Sequence, residues 1–208
     1  MNIKEAYNAW SSQYDTNENK TRDLEARALR EVLAPLSFEN CLEIGSGTGK
    51  NTAWLIEKAN HITAVDLSEE MMAKAKAKFP PGKIDFIQAD ITKEWTFASR
   101  LYDLVSFSLV LEHIPDLDPV FQKAAAVLQS GGYMYTGELH PFKQYSGSKA
   151  RFNTAEGEQV VDCFTHHFTD FIIPAQKNGL ALIDVREYFD NDNREDMPRI
   201  LTLLFRKA

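Results

Sequence analysis

A glycine-rich turn between an apolar run and a helix-like segment constrains the fold of this 208-residue chain more than any other feature. Residues 41–44 predict a buried strand, residues 52–59 predict a helix, and residues 45–49, Gly-Ser-Gly-Thr-Gly, join them. Glycines let the backbone approach a ligand closely, and open α/β sheets bind small molecules at the carboxyl ends of their strands. The turn therefore predicts a nucleotide-like ligand.

The alternation of strand and helix continues along the chain. Further strands are predicted at residues 62–65, 84–89, 101–107 and 132–138, and helices at residues 68–79 and 119–128. Such repetition predicts a parallel sheet covered by helices on both faces. Two later runs, 181–189 and 199–206, predict an antiparallel hairpin at the edge of the sheet.

The segments outside this repetition carry weaker patterns. A short helix is predicted near the N-terminus, a second over residues 21–34, which Pro35 ends, and a last one over residues 170–178. Residues 142–162 are polar and lack a period, which predicts either a cap over the site or an irregular hairpin. The length of the chain is that of a single domain.

Acidic residues end the next two predicted strands. Asp66 ends the second strand, where a carboxylate can accept hydrogen bonds from both hydroxyls of a ribose. Asp90 ends the third strand, where it can accept from the amino group of an adenine. Because the carboxyl ends of parallel strands share one edge of the sheet, the turn and these two carboxylates predict an adenosine-shaped site.

Two common nucleotide motifs do not fit the turn. The dinucleotide fingerprint GxGxxG needs a third glycine where Lys50 stands, which disfavours a nicotinamide cofactor. A Walker A loop needs four residues between its glycines, and this turn has three. It also needs a serine or threonine where Asn51 stands, so a P-loop is disfavoured further.

Five motifs occur in order over about residues 38–140. They are Cys41-Leu-Glu-Ile-Gly-Ser-Gly-Thr-Gly49, Val65-Asp-Leu-Ser68, Gln88-Ala-Asp-Ile91, Tyr102-Asp-Leu-Val-Ser-Phe-Ser-Leu-Val-Leu-Glu-His113 and Leu128-x-x-Gly131-Gly132. The ordered set resembles the class I S-adenosylmethionine-dependent methyltransferases, in particular the small-molecule group that contains quinone- and biotin-pathway enzymes.

The resemblance implies a fold and its division along the chain. The fold is an α/β, Rossmann-like three-layer sandwich with a seven-stranded, mostly parallel sheet whose last strand is antiparallel. The implied single methyltransferase domain comprises N-terminal helices over 1–37, a cofactor-binding core over 38–140, a substrate cap over 141–169, and a C-terminal helix and hairpin over 170–208.

The resemblance also implies S-adenosylmethionine as cofactor. The backbone of residues 45–49 meets its amino-acid part, Asp66 holds its ribose, and residues 90–91 border its adenine. Residues 106–109 line the sulfonium side, and Tyr14 closes over the cofactor. The expected set is Tyr14, Glu43, Gly45, Ser46, Gly47, Thr48, Gly49, Asp66, Leu67, Met71, Asp90, Ile91, Ser106, Ser108 and Leu109.

Two histidines are candidate catalytic residues. A sulfonium methyl group is already electrophilic, so the protein mainly has to align an acceptor and exclude water. If the acceptor is a hydroxyl or an enol, a histidine base helps, and both His113 and His140 follow predicted strands. In the structural alternative His113 caps a short turn. Of the adjacent His166 and His167 only one can face a pocket, and entry into the next helix is their default role.

Two groups of residues are candidates for contact with the acceptor. Lys143, Lys149 and Arg151 form a basic cluster, which either receives an acidic acceptor or is a solvated loop face. The aromatic residues that either wall an apolar pocket or belong to the core are Tyr7, Trp10 and Phe142.

Composition limits the partners. The net charge of −7 disfavours a broad nucleic-acid surface. No apolar run approaches the roughly 18 residues of a membrane span, and no signal-peptide core is present. A cytoplasmic monomer or homodimer is therefore expected. Cys41 and Cys163 lack metal-ligand spacing, so no metal is expected.

The sequence thus predicts an S-adenosylmethionine-dependent methyltransferase that acts on an unidentified small molecule. Two alternatives stay open, namely a module that binds S-adenosylmethionine without turnover and a nicotinamide-dependent oxidoreductase. Methylation of protein or nucleic acid is disfavoured by the acidic charge. Ser106-Phe-Ser-Leu109 also stands where nucleobase amino-methyltransferases carry Asn/Asp-Pro-Pro-Tyr.

Overall fold

One seven-stranded sheet organises the fold in a computed structural model that describes residues 2–154 and 157–208. The strands in chain order are β1 (Asn40–Ile44), β2 (His61–Asp66), β3 (Ile84–Gln88), β4 (Tyr102–Ser108), β5 (Leu128–Leu139), β6 (Arg151–Thr154), β7 (Gly157–Val160), β8 (Leu180–Tyr188) and β9 (Ile200–Lys207). The order across the sheet is β3-β2-β1-β4-β5-β9-β8, and β6 and β7 form a separate hairpin. Strands β1 to β5 are parallel, and β9 is antiparallel to both neighbours, which confirms the predicted sheet.

Helices flank the sheet on both sides. They are α1 (Ile3–Tyr14), α2 (Lys20–Leu33), α3 (Thr52–Lys58), α4 (Glu69–Lys78), α5 (Asp118–Val127), α6 (Pro141–Tyr145) and α7 (Phe168–Lys177), with a 3-10 turn at Leu111–His113. Among the described residues, none of these helices combines the length and the hydropathy that crossing a bilayer requires.

Each face of the sheet has its own apolar core, because successive side chains of a strand point to opposite faces. On β1, Leu42 and Ile44 join the core that β4, α5 and α7 complete. Cys41, which precedes Leu42 and points to the opposite face, joins the core that α2 and α3 complete. The short apolar runs predicted from the sequence are therefore strands buried on both sides.

The local sequence explains where helix α2 begins and ends. The side chain of Asn19 accepts a hydrogen bond from the backbone N–H of Arg22 at 3.0 Å and so caps the N-terminus. Leu29 and Val32 are buried on the helix face that meets the sheet. The helix ends at Leu33, two residues before Pro35.

The carboxyl edge of the sheet is covered by α1 and the β6–β7 hairpin. Trp10 on α1 stacks on Phe152 of β6, with ring centroids 5.2 Å apart. Ala6 and Trp10 also share an apolar cluster with Met71 of α4. The polar segment predicted as a cap or a hairpin therefore contains a hairpin that packs against the N-terminal helix.

The largest difference from the predicted elements is at the start of β5. The sequence predicts helix to residue 128 and strand from residue 132, whereas β5 already begins at Leu128. Leu128 pairs with Tyr102, and a register shift follows before Leu104. The pair Gly131-Gly132 predicts a turn between the helix and the strand. In the structure it lies inside β5 as an irregularity of the strand, with φ +78° at Gly131.

Candidate functional site

A cavity of about 230 Å³, here called the main cavity, opens where β1, β2 and β4 end. The predicted cofactor residues that line it are Tyr14, Gly45, Gly47, Asp66, Leu67, Met71, Asp90, Ile91, Ser108 and Leu109. His113 and Tyr7 line it as well. The structure therefore brings most of the predicted set together around one space.

The glycine turn forms one wall of this cavity. Its start is fixed by the N–H groups of Gly45 and Ser46, which both donate to the carbonyl of Val65 on β2. Gly47 has φ +54°, and a Cβ built there would meet no protein atom within 4 Å. The turn thus leaves open space above its own backbone, which fits a ligand that lies against it.

Asp66 joins the end of β2 to the turn. Its Oδ2 accepts from the N–H of Gly47 at 2.7 Å, and its Oδ1 accepts from the N–H of Ser68 at 2.8 Å. Burial raises the pKa of the carboxyl, and these backbone donors act against that rise. Since each carboxylate oxygen can accept more than one bond, both remain able to receive the hydroxyls of a ribose.

The far end of the main cavity suits a flat apolar ring with a polar edge. Leu67, Met71 and Ile91 supply apolar walls. The Oδ1 atom of Asp90 accepts from both the N–H and the hydroxyl of Thr92. Among the described residues, none donates a hydrogen bond to its Oδ2 atom. An adenine amino group fits such an acceptor.

A second, narrow cavity of about 40 Å³, here called the small cavity, continues the main one. The two share Tyr14, Gly45, Gly47, Ser108 and Leu109. Among the described residues, the buried hydroxyl of Ser46 on its wall has no hydrogen-bond partner. The small cavity therefore offers an unused polar group beside the glycine turn, where a ligand would satisfy it.

Two buried carboxyls line the small cavity. Glu25 of α2 accepts from Asn51 at 2.9 Å and from the Tyr135 hydroxyl at 3.1 Å, and burial raises its pKa to about 7. Burial also raises the pKa of Glu43 to about 8, and its Oε2 accepts from Thr52 at 2.5 Å. The ammonium end of an amino acid fits beside such groups, because its charge compensates the burial of a carboxylate.

Sequence reasoning missed Glu25, although a signal existed. Glu25 lies on the face of α2 that also carries the buried Ala28 and Leu29, at helical spacing. An acidic residue on the buried stripe of an amphipathic helix needs a partner, and that requirement marks it as a candidate.

Tyr14, at the end of α1, lines both cavities from the N-terminal side. The guanidinium of Arg22 donates to the backbone carbonyl of Tyr14 and lies 5.2 Å from the centroid of its ring. The neighbouring Asp15 accepts from the hydroxyl of Thr48 at 2.6 Å, in the glycine turn. These contacts tie the end of α1 to the turn.

His113 reaches the main cavity from the 3-10 turn after β4. Its Nε2 lies 2.7 Å from the hydroxyl of Tyr7, and its Nδ1 lies 2.9 Å from the backbone carbonyl of Asp162. Burial lowers the pKa of the imidazole, so it is neutral at pH 7. His113 is thus a neutral base at the edge of the site.

His140, which the sequence predicts to contact the acceptor, lines neither cavity. Its backbone N–H donates to the carbonyl of Arg199, its Nδ1 accepts from the N–H of Phe142 at 3.1 Å, and its Nε2 lies 3.0 Å from Glu187. The ring is buried and starts helix α6. Its role here is therefore structural.

Gly49 and Ser106 line neither cavity. A Cβ at Gly49 would lie 2.7 Å from the ring of Phe79, so that glycine permits packing inside the fold. Ser106 is buried on the same face of its strand as Leu104.

The adjacent histidines take different positions. The Nε2 atom of His166 is hydrogen-bonded to the carbonyls of Leu111 and Ile114, and His167 begins helix α7.

Three potential metal ligands lie close together beside the site. Atoms of Glu112, His113 and Cys163 are all within 4.8 Å of one another. Burial raises the pKa of the Cys163 thiol to about 12, and both nitrogens of His113 already have partners. Because metals bind thiolates and free imidazole nitrogens, this arrangement does not favour an ion.

A third cavity of about 420 Å³, here called the side cavity, adjoins the main one. The two share Tyr7, Tyr14 and Leu109. The charged residues on its wall are Glu18, Lys20, Glu112, Lys149, Arg151 and Arg199. Lys149 and Arg151 of the predicted basic cluster thus face it, whereas Lys143 and Phe142 do not line it.

Comparison with known proteins gives a family and relatives. A sequence profile described as "Methyltransferase domain" matches residues 42–136. The ubiquinone biosynthesis O-methyltransferase of Nitrosomonas europaea is 26% identical over 157 residues, covering 73% of this chain and 65% of that protein. The biotin biosynthesis bifunctional protein BioHC of Cellvibrio japonicus is 28% identical over 139 residues, covering 67% of this chain and 27% of that protein. The chain therefore spans less than two thirds of the length of these two relatives.

A solved structure shares the fold. The N-methyltransferase NodS of Bradyrhizobium japonicum, in complex with S-adenosyl-L-homocysteine, has a TM-score of 0.73 at 18% identity, and the match covers 100% of both chains.

Proposed function

Because the chain belongs to the class I S-adenosylmethionine-dependent methyltransferases, we propose that it transfers a methyl group from S-adenosylmethionine to a small molecule. The observation that carries this proposal is the continuity of the main and small cavities along the glycine turn. An acceptor for an adenine, an acidic group for a ribose and buried carboxyls for an ammonium follow one another along that path. S-adenosylmethionine has these three parts in this order.

The protein's part in this reaction is binding and alignment. When bound, S-adenosylmethionine supplies a methyl group that is already activated by a sulfonium. Asp66 and Asp90 hold the nucleoside, while Glu25 and the backbone of the turn hold the amino-acid end. Leu109, which lines all three cavities, lies at the junction from which the acceptor approaches. Water exclusion by α1 and the hairpin favours transfer over hydrolysis.

The names of the relatives support a small acceptor. One is named for ubiquinone biosynthesis and another for biotin biosynthesis, and both pathways make small molecules. The side cavity, about 420 Å³ in volume, has room for an acceptor of that size. Its basic residues favour an acceptor that carries a negative charge.

The alternatives are less favoured. A binding module without turnover has no need of a second cavity beside the cofactor, and the side cavity meets the main cavity at Tyr7. A nicotinamide cofactor is disfavoured by Lys50 in place of the third fingerprint glycine.

The test is acceptor-dependent turnover. The purified chain is incubated with S-adenosylmethionine and panels of hydroxyl, amine, thiol and carboxylate compounds, and S-adenosylhomocysteine is measured by mass spectrometry. The proposal expects its formation to depend on at least one acceptor class. Binding of S-adenosylmethionine without turnover on any panel would instead establish the binding-module alternative.

A further inference from the structure

We propose that the side cavity binds an acceptor whose reacting atom carries a proton, a hydroxyl in particular, and that Tyr7 passes this proton to His113. The inference rests on the proposed methyl transfer and adds the acceptor class and a catalytic residue. Tyr7 is the natural place for this step, because it lines both the main cavity and the side cavity. Its hydroxyl is bonded to His113, which lines the main cavity.

The partners of His113 fix which nitrogen carries the proton. The carbonyl of Asp162 can only accept, so Nδ1, at 2.9 Å from it, is the N–H donor of the neutral ring. Nε2 is then left with a lone pair and accepts from the Tyr7 hydroxyl at 2.7 Å. The lone pair of the base therefore points at the hydroxyl of Tyr7, a residue that lines the side cavity.

The surroundings keep this pair ready to accept a proton. Burial raises the pKa of Tyr7 well above its ordinary value, so its hydroxyl stays protonated and donates to the ring. Burial lowers the pKa of His113, so its ring is neutral at pH 7. Among the described residues, the ionisable groups that face the pair are Tyr14 from α1, Glu112 from the 3-10 turn, Asp162 and Cys163 after the hairpin, and Asp66 at the end of β2.

The aromatic neighbours hold the hydroxyl of Tyr7 in one place. The Tyr7 ring is stacked on Trp10 with centroids 5.6 Å apart and meets His113 edge to face at 5.4 Å. Such packing fixes the ring without using its hydroxyl. A phenylalanine at this position therefore keeps the packing and removes only the oxygen.

The step balances in atoms and charge. A bond forms between the acceptor oxygen and the methyl carbon, and the carbon–sulfur bond breaks with its electron pair left on sulfur. The acceptor proton moves to the Tyr7 oxygen as the phenol's own proton moves to Nε2 of His113. The positive charge lost from the sulfonium thus appears on the imidazolium. Glu112, with Oε1 at 3.8 Å from Nε2, stabilises that charge when it is ionised.

The first test is spectroscopic and needs no turnover. The ring nitrogens of ¹⁵N-labelled His113 are assigned by nuclear magnetic resonance in the complex with S-adenosylhomocysteine at pH 7. We expect a protonated Nδ1 and a bare Nε2, with the Nε2 resonance shifted in Tyr7→Phe. A protonated Nε2, a charged ring, or an Nε2 resonance that Tyr7→Phe leaves unchanged overturns the proposal.

The second test compares a protic with an aprotic acceptor, 4-hydroxybenzoate with iodide. We expect Tyr7→Phe and His113→Gln each to lower kcat for 4-hydroxybenzoate about 100-fold at pH 7, the range of general base catalysis. The loss should shrink as the pH rises and the phenol ionises unaided. Methylation of iodide, which has no proton to lose, should fall far less than that of 4-hydroxybenzoate in both variants. Because both residues serve one transfer, the double variant should be no slower than either single one.

A matched control exists on the surface. Tyr145 and His167 form another tyrosine–histidine pair, with the tyrosine hydroxyl 2.6 Å from the Nδ1 atom of the histidine. This pair is exposed and lines none of the three cavities. Tyr145→Phe should leave both reactions unchanged. Equal losses for iodide and 4-hydroxybenzoate in Tyr7→Phe would make Tyr7 merely structural and overturn the proposal. Transfer to iodide alone would overturn the acceptor class.

The failure of the proposed function is distinguishable from the failure of this inference. A chain that does not bind S-adenosylmethionine contradicts the proposed function. A chain that binds it but methylates neither probe contradicts the proton transfer through Tyr7.

Discussion

The carboxylate of Asp66 accepts a hydrogen bond from the backbone N–H of Gly47 at 2.7 Å. The residue at the end of β2 thereby holds the shape of the turn after β1, and it also lines the main cavity. One side chain thus links the two sequence motifs that the family resemblance joins. The relationship explains why both are needed for a single site, because the turn and the ribose acceptor are parts of one hydrogen-bonded unit.

Replacing Asp66 should weaken cofactor binding. Asp66→Asn keeps the size of the side chain but removes the charge that strengthens its bonds to a ribose, which should cost about 2–3 kcal/mol of binding free energy. Calorimetry with S-adenosylhomocysteine measures this loss. Asp85→Asn, on an exposed residue of the neighbouring strand β3, is the control and should bind normally. An unchanged affinity in Asp66→Asn would remove this residue from the site.

Two glycines in the turn should respond differently to alanine. Both have positive φ, so an alanine at either costs about 1–2 kcal/mol of backbone strain. At Gly49 the new methyl group also meets Phe79, so Gly49→Ala should lower the melting temperature more. At Gly47 the new methyl group projects into the open space where the cofactor would lie. Gly47→Ala should therefore lower cofactor affinity about tenfold, which is about 1.4 kcal/mol of binding free energy. A stability loss in Gly47→Ala equal to that in Gly49→Ala, with normal affinity, would contradict this assignment.

Cofactor binding should release a proton near pH 7 through Glu25. Burial raises the pKa of Glu25 to about 7, so about half of the free protein holds a proton there at pH 7. An ammonium group beside it lowers that pKa, so binding expels the proton and affinity rises as the pH passes upward through 7. Calorimetry in buffers of different ionisation enthalpy measures the release.

The matched variants for this linkage lie on the same helix. Glu25→Gln should reduce the proton release and leave only the part that Glu43 contributes, whereas Glu31→Gln, on the exposed face of α2, should keep it in full. Proton uptake, or a release that Glu25→Gln leaves undiminished, would show that the ammonium lies elsewhere.

His140 should matter for stability and not for binding. His140→Ala leaves the N–H of Phe142 and the side chain of Glu187 without their present partner. The expected loss is about 1–3 kcal/mol in the free energy of unfolding, measured by urea denaturation. Cofactor affinity should be unchanged, as it should be in the exposed-residue control His167→Gln. A loss of affinity or turnover without a loss of stability would return His140 to the site.

The local parts of the site could be predicted from the sequence. Asp66 ends β2, and the glycine turn and Asp90 come just after β1 and β3, so a strand positions each of them and the sequence pattern reveals that strand. The seven-stranded, mostly parallel sheet with its antiparallel last strand followed from the family resemblance, and the structure confirms it.

The other parts depend on contacts between distant segments. Tyr7 and His113 are 106 positions apart, and Glu25 and Tyr135 are 110 apart, so no local pattern reports either pair. His140 directly follows β5, but its side chain is bonded to Phe142 and Glu187 and lines none of the three cavities. The position of a residue at a strand end therefore does not tell which neighbour its side chain meets.

The most direct test of the central claim is calorimetric titration of the purified chain with S-adenosylmethionine, S-adenosylhomocysteine and NADH, each separately. The site described here predicts that both sulfur nucleosides bind and that NADH does not. Preferential binding of NADH, or binding of none of the three, would contradict the assignment of the glycine turn, Asp66 and Asp90 to S-adenosylmethionine.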